Sequence, residues 1–255
     1  MPIDDDAAVA IARNIRVKAM GRLLGTWLAA VLAAGAGEPP RPDSRPLVWV
    51  LDGAGGLGGC SNAFTCTNML AGGPLELATF PWSHGYRRTV LDQVDARHAK
   101  AQGARLAAKI QERSKEEPGR RVVIVAHSAG SAVALAAGDC LPADSIDRIV
   151  LLAPSVSTKY DVRRSLAASR EGIDVFCSKK DWIALGFGTR VVGTVDRRWA
   201  PAAGRHGFRL GAEELRQHFW SAEVAWTGHS GGHYGTHAPA FLEKYVLPLI
   251  QSPME

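Results

Sequence analysis

Val122-Val123-Ile124-Val125-Ala126-His127-Ser128-Ala129-Gly130-Ser131 is a run of β-branched residues that stops at a serine and continues into Ala132, Val133, Ala134, Leu135, Ala136, Ala137 and Gly138. The β-branched half reads as a buried strand and the small-residue half as a helix, so a sharp turn must lie between them. A tight strand-to-helix turn crowds the backbone on both sides of its apex, and Ala126 and Gly130 supply the small residues this requires. The Ser128 hydroxyl is left protruding at the start of a helix. There the first backbone N–H groups lack intrahelical partners and suit a developing negative charge. The plainer alternative is a serine that only caps a helix.

This pattern resembles the nucleophile elbow of the α/β-hydrolase superfamily, G-x-S-x-G, with Ala126 in place of the first glycine. The resemblance implies a mostly parallel sheet with helices on both faces, in a single domain. It also implies a nucleophile, an acid and a histidine in that chain order. What it implies about activity is a serine hydrolase of the cap-poor esterase or lipase type, cleaving carboxylic esters through an acyl-enzyme, with no cofactor and no metal.

Working outward, Pro46-Leu47-Val48-Trp49-Val50-Leu51 reads as a buried strand entering Asp52-Gly53-Ala54-Gly55-Gly56-Leu57-Gly58-Gly59. In the superfamily the loop at this place carries one oxyanion donor. The resemblance therefore assigns the oxyanion hole to the N–H groups of Ala54 and Ala129. Gly53, Gly55 and Gly58, with Glu76 beyond, also spell a dinucleotide fingerprint, the mark of an oxidoreductase. That fingerprint needs a helix opening in the glycines, and Cys60 to Gly73 reads as polar and broken, which argues against it.

Strands are expected at Leu75–Phe80, Asp147–Pro154, Gly172–Cys177 and Phe219–Trp226. Helices are expected over Asp95–Glu117, Val162–Ser169 and Pro239–Leu247. Alternation of strands with helices is the signature of a parallel sheet. Asp181, a short loop after the Ile173–Cys177 strand, takes the acid's place, with Asp161 in reserve. The base lies in Thr227-Gly228-His229-Ser230-Gly231-Gly232-His233-Tyr234-Gly235-Thr236-His237-Ala238-Pro239. In many relatives the base stands a short way before a proline that opens the final helix, so the resemblance, with Pro239 as that proline, favours His233, then His229, then His237. No carboxylate lies in this stretch to complete a metal site. Trp82, His84 and Trp182 are expected to line a substrate pocket, with Phe187 nearby, whereas His127 reads as structural or pocket-lining.

The chain has 255 residues, an apolar share of 46% and a formal charge of +5, enough for a sizeable core in one domain. Its Lys and Arg residues are scattered without aromatic interleaving, so no nucleic-acid partner is expected, and the partner foreseen is a small-molecule ester. Arg13, Arg16, Lys18 and Arg22 precede the apolar run Leu23–Ala34 and the small residues Gly35-Ala36, the layout of a secretory signal over 1–36. Asp4-Asp5-Asp6 fits that layout poorly, and Met20 would be a cleaner start. The alternative is an N-terminal helix packed on the domain or on a membrane or lipid surface. A Pro-rich linker, 37–46, then leads into a hydrolase domain over 47–252. The signal reading implies a secreted or periplasmic protein, the other a cytoplasmic one. Cys60 and Cys66 are close enough in sequence to bridge, and Cys140 and Cys177 read as buried thiols. The sequence leaves the oligomeric state open, and a binding module without catalysis would keep the same sheet.

Overall fold

The computed structural model describes residues 44–86, 88–181, 194–196 and 201–251. The expected signal, most of the linker, Trp182 and Phe187 lie outside the described residues. No described helix is long and apolar enough to cross a membrane.

Six parallel strands form one sheet in the order β2-β1-β3-β4-β5-β6. They are β1 (Leu47–Leu51), β2 (Glu76–Thr79), β3 (Val122–His127), β4 (Arg148–Leu152), β5 (Ile173–Cys177) and β6 (Leu215–Phe219). The helices between them are α1 (Gly59–Leu70), α2 (Thr89–Val94), α3 (Ala96–Glu116), α4 (Gly130–Cys140), α5 (Arg163–Ala168) and α6 (Ala203–His206). A C-terminal helix, α7, begins at Pro239–Phe241, passes through a π-turn at Leu242–Val246 and ends at Leu247–Gln251. This is the α/β-hydrolase arrangement expected from the elbow.

Strand side chains alternate between faces, and the two halves of the core follow that period of two. Leu47, Trp49, Leu51, Ile124, Ala126, Ile149, Leu151, Ile173 and Val175 pack toward Leu106 and Ile110 of α3 and Val133 and Leu135 of α4. Val48, Val50, Val123, Val125, Val150, Leu152 and Phe176 pack toward Phe64 of α1 and Leu242, Val246 and Ile250 of α7. Each fully buried Val, Leu or Ile among them contributes roughly 1.5–3 kcal/mol. Because both faces are covered, the loops at the carboxyl ends of the strands are where a cleft can open.

Several local expectations are corrected. Gly59–Leu70 is a helix, not a broken segment. Its buried residues, Cys60, Ser61, Phe64, Thr67 and Asn68, have helical spacing but mostly polar side chains, which hid the apolar stripe. Its cap also comes from far upstream: Asp52 Oδ1 accepts from the N–H groups of Cys60 (2.8 Å) and Ser61 (3.0 Å), and Oδ2 from the Ser61 hydroxyl (2.7 Å). Cys60 and Cys66 are therefore six residues apart on one helix, about 9 Å along its axis, too far for a disulfide. Both are free thiols, and Cys140 is exposed rather than buried. The last strand is Leu215–Phe219, while Ala222–Thr227 is a 3-10 helix with Trp226 exposed. The polar edge strand Leu-Arg-Gln-His-Phe shows little alternation, and the more apolar segment after it misled the pattern.

Candidate active site

Ser128, Asp181 and the glycine loop follow the carboxyl ends of β3, β5 and β1, and His233 lies in the longer segment between β6 and α7. Ser128 follows β3 with φ of 51°, a left-handed conformation that costs a residue with a Cβ and is kept only where neighbours enforce it. They do so here. The Ser128 N–H donates to the Leu152 carbonyl (3.0 Å), and its own carbonyl accepts from Ser131 and Ser155 N–H, each at 3.1 Å. Gly130 is required because a Cβ there would stand 2.5 Å from the Asp52 carbonyl oxygen and 3.1 Å from that of Leu51.

Asp181 follows β5, is 2% exposed, and donates its backbone N–H to Ser178 O at 3.1 Å. The Ser178 hydroxyl reaches across to the Gly231 carbonyl (2.6 Å), tying the acid loop to the histidine loop. Lys180, a neighbour that an ordinary surface aspartate would pair with, instead lies 3.9 Å over the Trp220 ring. Asp161 is exposed and engaged with Arg163 at 2.6 Å, whose hydrogen bond lowers its pKa to about 2, so the reserve acid has no part in the site.

His233 connects the two. Its Nδ1 is 2.6 Å from Asp181 Oδ2 and its Nε2 is 2.9 Å from Ser128 Oγ. An ionised carboxylate only accepts, so Nδ1 carries the proton and Nε2 is left to accept from the serine hydroxyl. His229 is buried and turned elsewhere: its Nδ1 accepts from Gly231 N–H at 3.2 Å. A Cβ on Gly235 would sit 2.0 Å from that same Nδ1, so this ring occupies space that only glycine leaves. Burial lowers the pKa of His229 to about 4, against the nearby Asp181 charge, and burial lowers that of His237 to about 4 as well. The choice among three histidines is thus made by direction. His127 is buried in the wall of the cleft, held neutral by burial, and its Nε2 is 3.1 Å from the His233 carbonyl oxygen.

Among the described residues the N–H groups of Ala54 and Ala129 have no acceptor. Ala54 and Ser128 line one cleft of about 210 Å³. Gly53 lets the loop approach this closely, because a Cβ there would be 3.3 Å from Ser128 Cβ and 3.1 Å from His127 Nδ1.

The expected pocket residues Trp82 and His84 are elsewhere. Trp82 is 2% exposed and donates its Nε1–H to the Asp52 carbonyl (2.8 Å), a support beneath the glycine loop. His84 is bonded to Asp92 and stacked on His98 at 3.7 Å. Leu57, Thr89, Gln93, Ser155, Tyr234 and His237 line the cleft instead. Thr89 and Gln93 belong to α2, a helix of only six residues without a cap signal, and nothing local marked them. Cys60 also borders the cleft, but burial first and the Asp52 charge second push its thiol up, so it is not a thiolate.

A helix does open at the end of the glycines, as a dinucleotide site requires, contrary to the broken segment expected there. Two other features oppose dinucleotide binding. The α1 N-terminus, where a pyrophosphate would bind, is filled by the Asp52 carboxylate, an anion that would repel another. Glu76 pairs in register with Leu47 at the far end of β1, roughly 13 Å from its carboxyl end, and is engaged by Arg113 and Arg120.

The doubly covered parallel sheet with its strand–serine–helix elbow defines an α/β hydrolase. The chain belongs to the family described as "Alpha/beta hydrolase of unknown function (DUF900)", whose model matches residues 74–214. That span includes Ser128 and Asp181 and ends before His233. No curated protein matches the chain. Among solved structures it is similar to the mature lipase BlEst2 of Bacillus licheniformis, at 14% identity and a TM-score of 0.46, covering 85% of this chain and 97% of that one. It is also similar to a poly(3-hydroxybutyrate) depolymerase, LpqC, of Bordetella parapertussis, at 14% identity and a TM-score of 0.46, covering 84% and 86%. A third is the propionate-bound esterase Est2 of Thermogutta terrifontis, at 12% identity and a TM-score of 0.43, covering 86% and 89%.

Proposed function

We propose that this hydrolase cleaves carboxylic esters through an acyl-enzyme formed on Ser128. The observation that carries the reading is the continuous contact from Ser128 Oγ through the His233 ring to Asp181, beside two N–H groups without acceptors among the described residues. As Oγ attacks the carbonyl carbon, His233 Nε2 takes its proton, and Asp181 stabilises the resulting imidazolium. The carbonyl oxygen becomes an oxyanion, held by the N–H groups of Ala54 and Ala129. Collapse breaks the bond to the leaving alkoxide, which receives the proton from Nε2. Water, deprotonated by the same nitrogen, then attacks the acyl carbon; the carboxylic acid leaves and the proton returns to Oγ. No cofactor enters this sequence.

A series of p-nitrophenyl esters and a fluorophosphonate probe test it on wild type and Ser128→Ala. The expected outcome is hydrolysis and covalent labelling by wild type only. Ester hydrolysis that survives Ser128→Ala would overturn the mechanism. A folded wild type that neither turns over esters nor labels would favour the non-catalytic binding module.

A further inference from the structure

Asp92 is a carboxylate with no exposed side-chain surface that takes no part in the relay from Ser128 to Asp181. It sits on α2 and gathers four donors. Oδ2 accepts from the Gly55 N–H (2.7 Å) and the Ser83 hydroxyl (2.5 Å), and Oδ1 accepts from the His84 N–H (2.8 Å) with His84 Nδ1 also at 2.8 Å. Burial alone would raise its pKa, but these bonds outweigh it and hold the carboxyl below its usual range. Burying an anion so completely costs free energy that only a full set of donors offsets.

The first of those donors matters most. Gly55 is the residue after Ala54, and the two occupy the middle of a turn closed by the Gly56 N–H on the Gly53 carbonyl at 3.3 Å. With φ of 86°, Gly55 is in a region where the backbone rotates freely unless held. The Ala54 N–H shares its peptide plane with the Gly53 carbonyl that Gly56 holds, and the bond from the Gly55 N–H to Asp92 stops the Ala54–Gly55 peptide from turning over and keeps closed the turn on which that plane depends. The next residue of α2 braces the other side of the cleft: Gln93 Nε2 donates to Ser155 Oγ, and the Ser155 N–H holds the Ser128 carbonyl. One short helix thus spans both arms of the oxyanion site.

His84, Asp92 and His98 also bring three metal-ligand atoms within 4.8 Å of one another. Yet the two rings are stacked at 3.7 Å and 28°, so their in-plane lone pairs run side by side rather than meeting about 2 Å from both nitrogens. His98 Nε2 is moreover engaged by the Trp82 carbonyl at 2.6 Å. The group is a hydrogen-bonded anchor for the glycine loop.

We propose that Asp92 is a positioning residue of the hydrolase, setting the oxyanion hole by holding the Gly55 N–H so that the Ala54 N–H faces the reacting carbonyl. This rests on the proposed ester hydrolysis at Ser128. Asp92 touches no reacting atom, so its effect belongs in the transition state and not in substrate binding.

The test compares wild type, Asp92→Ala and Asp92→Asn with a p-nitrophenyl ester, all rates divided by active sites titrated with a fluorophosphonate. A trifluoromethyl ketone serves as the transition-state analogue. For Asp92→Ala, kcat per active site should fall about 10- to 100-fold with KM within about threefold, and Ki for the ketone should rise by the factor lost from kcat/KM. Asp92→Asn, whose amide oxygen still accepts from Gly55, should lie between, with kcat/KM at least about threefold down and Ki up to match. Asp92→Ala with wild-type kcat and Ki per site overturns the proposal, because a merely structural role lowers only the number of active sites. If Asp92→Ala lacks a cooperative melt, wild-type values in Asp92→Asn overturn it equally. An inactive wild type would remove the ester-hydrolase reading and this proposal together, whereas an active wild type with unaffected variants removes this proposal alone.

Discussion

Asp181→Asn isolates one contribution of the relay, because it keeps side-chain shape and removes a charge. In the native site the carboxylate lies 2.6 Å from His233 Nδ1. Its second oxygen has no hydrogen-bond donor among the described residues. The amide is therefore free to rotate and offer its oxygen to Nδ1–H, so the ring keeps the tautomer that leaves Nε2 ready to accept from Ser128. On the proposed mechanism, what is lost is the attraction between the carboxylate and the imidazolium formed when the serine proton moves. A charge pair about 4 Å apart at an effective dielectric near 20 is worth about 4 kcal/mol. This corresponds to a decrease in kcat of about a thousandfold.

KM should change little, because Asp181 does not line the cleft. The melting temperature should also hold, since an isosteric amide replaces a buried charge without opening a cavity. Stopped-flow or burst measurements with a p-nitrophenyl ester give kcat, and fluorophosphonate labelling, which needs the same proton transfer, should slow by a similar factor. A fall of less than tenfold in a folded protein would refute the reasoning. So would an Asp181→Asn/His233→Gln double variant far slower than His233→Gln alone, because groups acting through one another do not add.

Two further outcomes follow from packing and burial. Gly130→Ala forces a Cβ to 2.5 Å from the Asp52 carbonyl oxygen, so β1 and the elbow must separate. The expected cost is about 3 kcal/mol, a melting point lower by roughly 6–12 °C, and a scan unchanged from wild type would refute the crowding. His229 and His237, each lowered by burial to about 4, stay neutral in the fold while their unfolded forms protonate near pH 6.5. In that window the unfolded chain binds more protons, so stability present above pH 6.5 is lost as pH falls toward 4. The ceiling is about 1.4 kcal/mol per pH unit for each ring, and about half of it is expected after solvent screening. Urea midpoints at pH 7, 6 and 5 should drop, and His229→Gln should flatten the slope. An equal slope in that variant would remove His229 from the account.

The elbow, the parallel alternation and the order of the loops were legible because each is local: β-branched residues, a serine between small residues, and glycines where the backbone must pass close. Asp181 was legible through its distance from a recognisable strand. Its neighbours Lys179 and Lys180 made a surface turn plausible until the fold drew Lys180 onto Trp220. Helix α1 was hidden because its buried stripe is polar and its cap, Asp52, comes from across the glycine loop. Trp82 read as a pocket wall because it is aromatic and near a turn, yet it supports the loop from below.

By itself the sequence determined the class of fold and the residue types the site draws on, since periodicity, turn chemistry and spacing are properties of neighbours along the chain. Only the tertiary structure decided which histidine faces Ser128. His229 and His233 share a glycine-rich loop and the same chemistry, and what separates them is the space left by Gly235 and the pull of the Ser178 and Trp220 hydrogen bonds. It also decided that Asp92, 36 residues before Ser128, holds the glycine loop beside the cleft. Burial and hydrogen-bond satisfaction are set by groups distant in sequence, and no local pattern carries them.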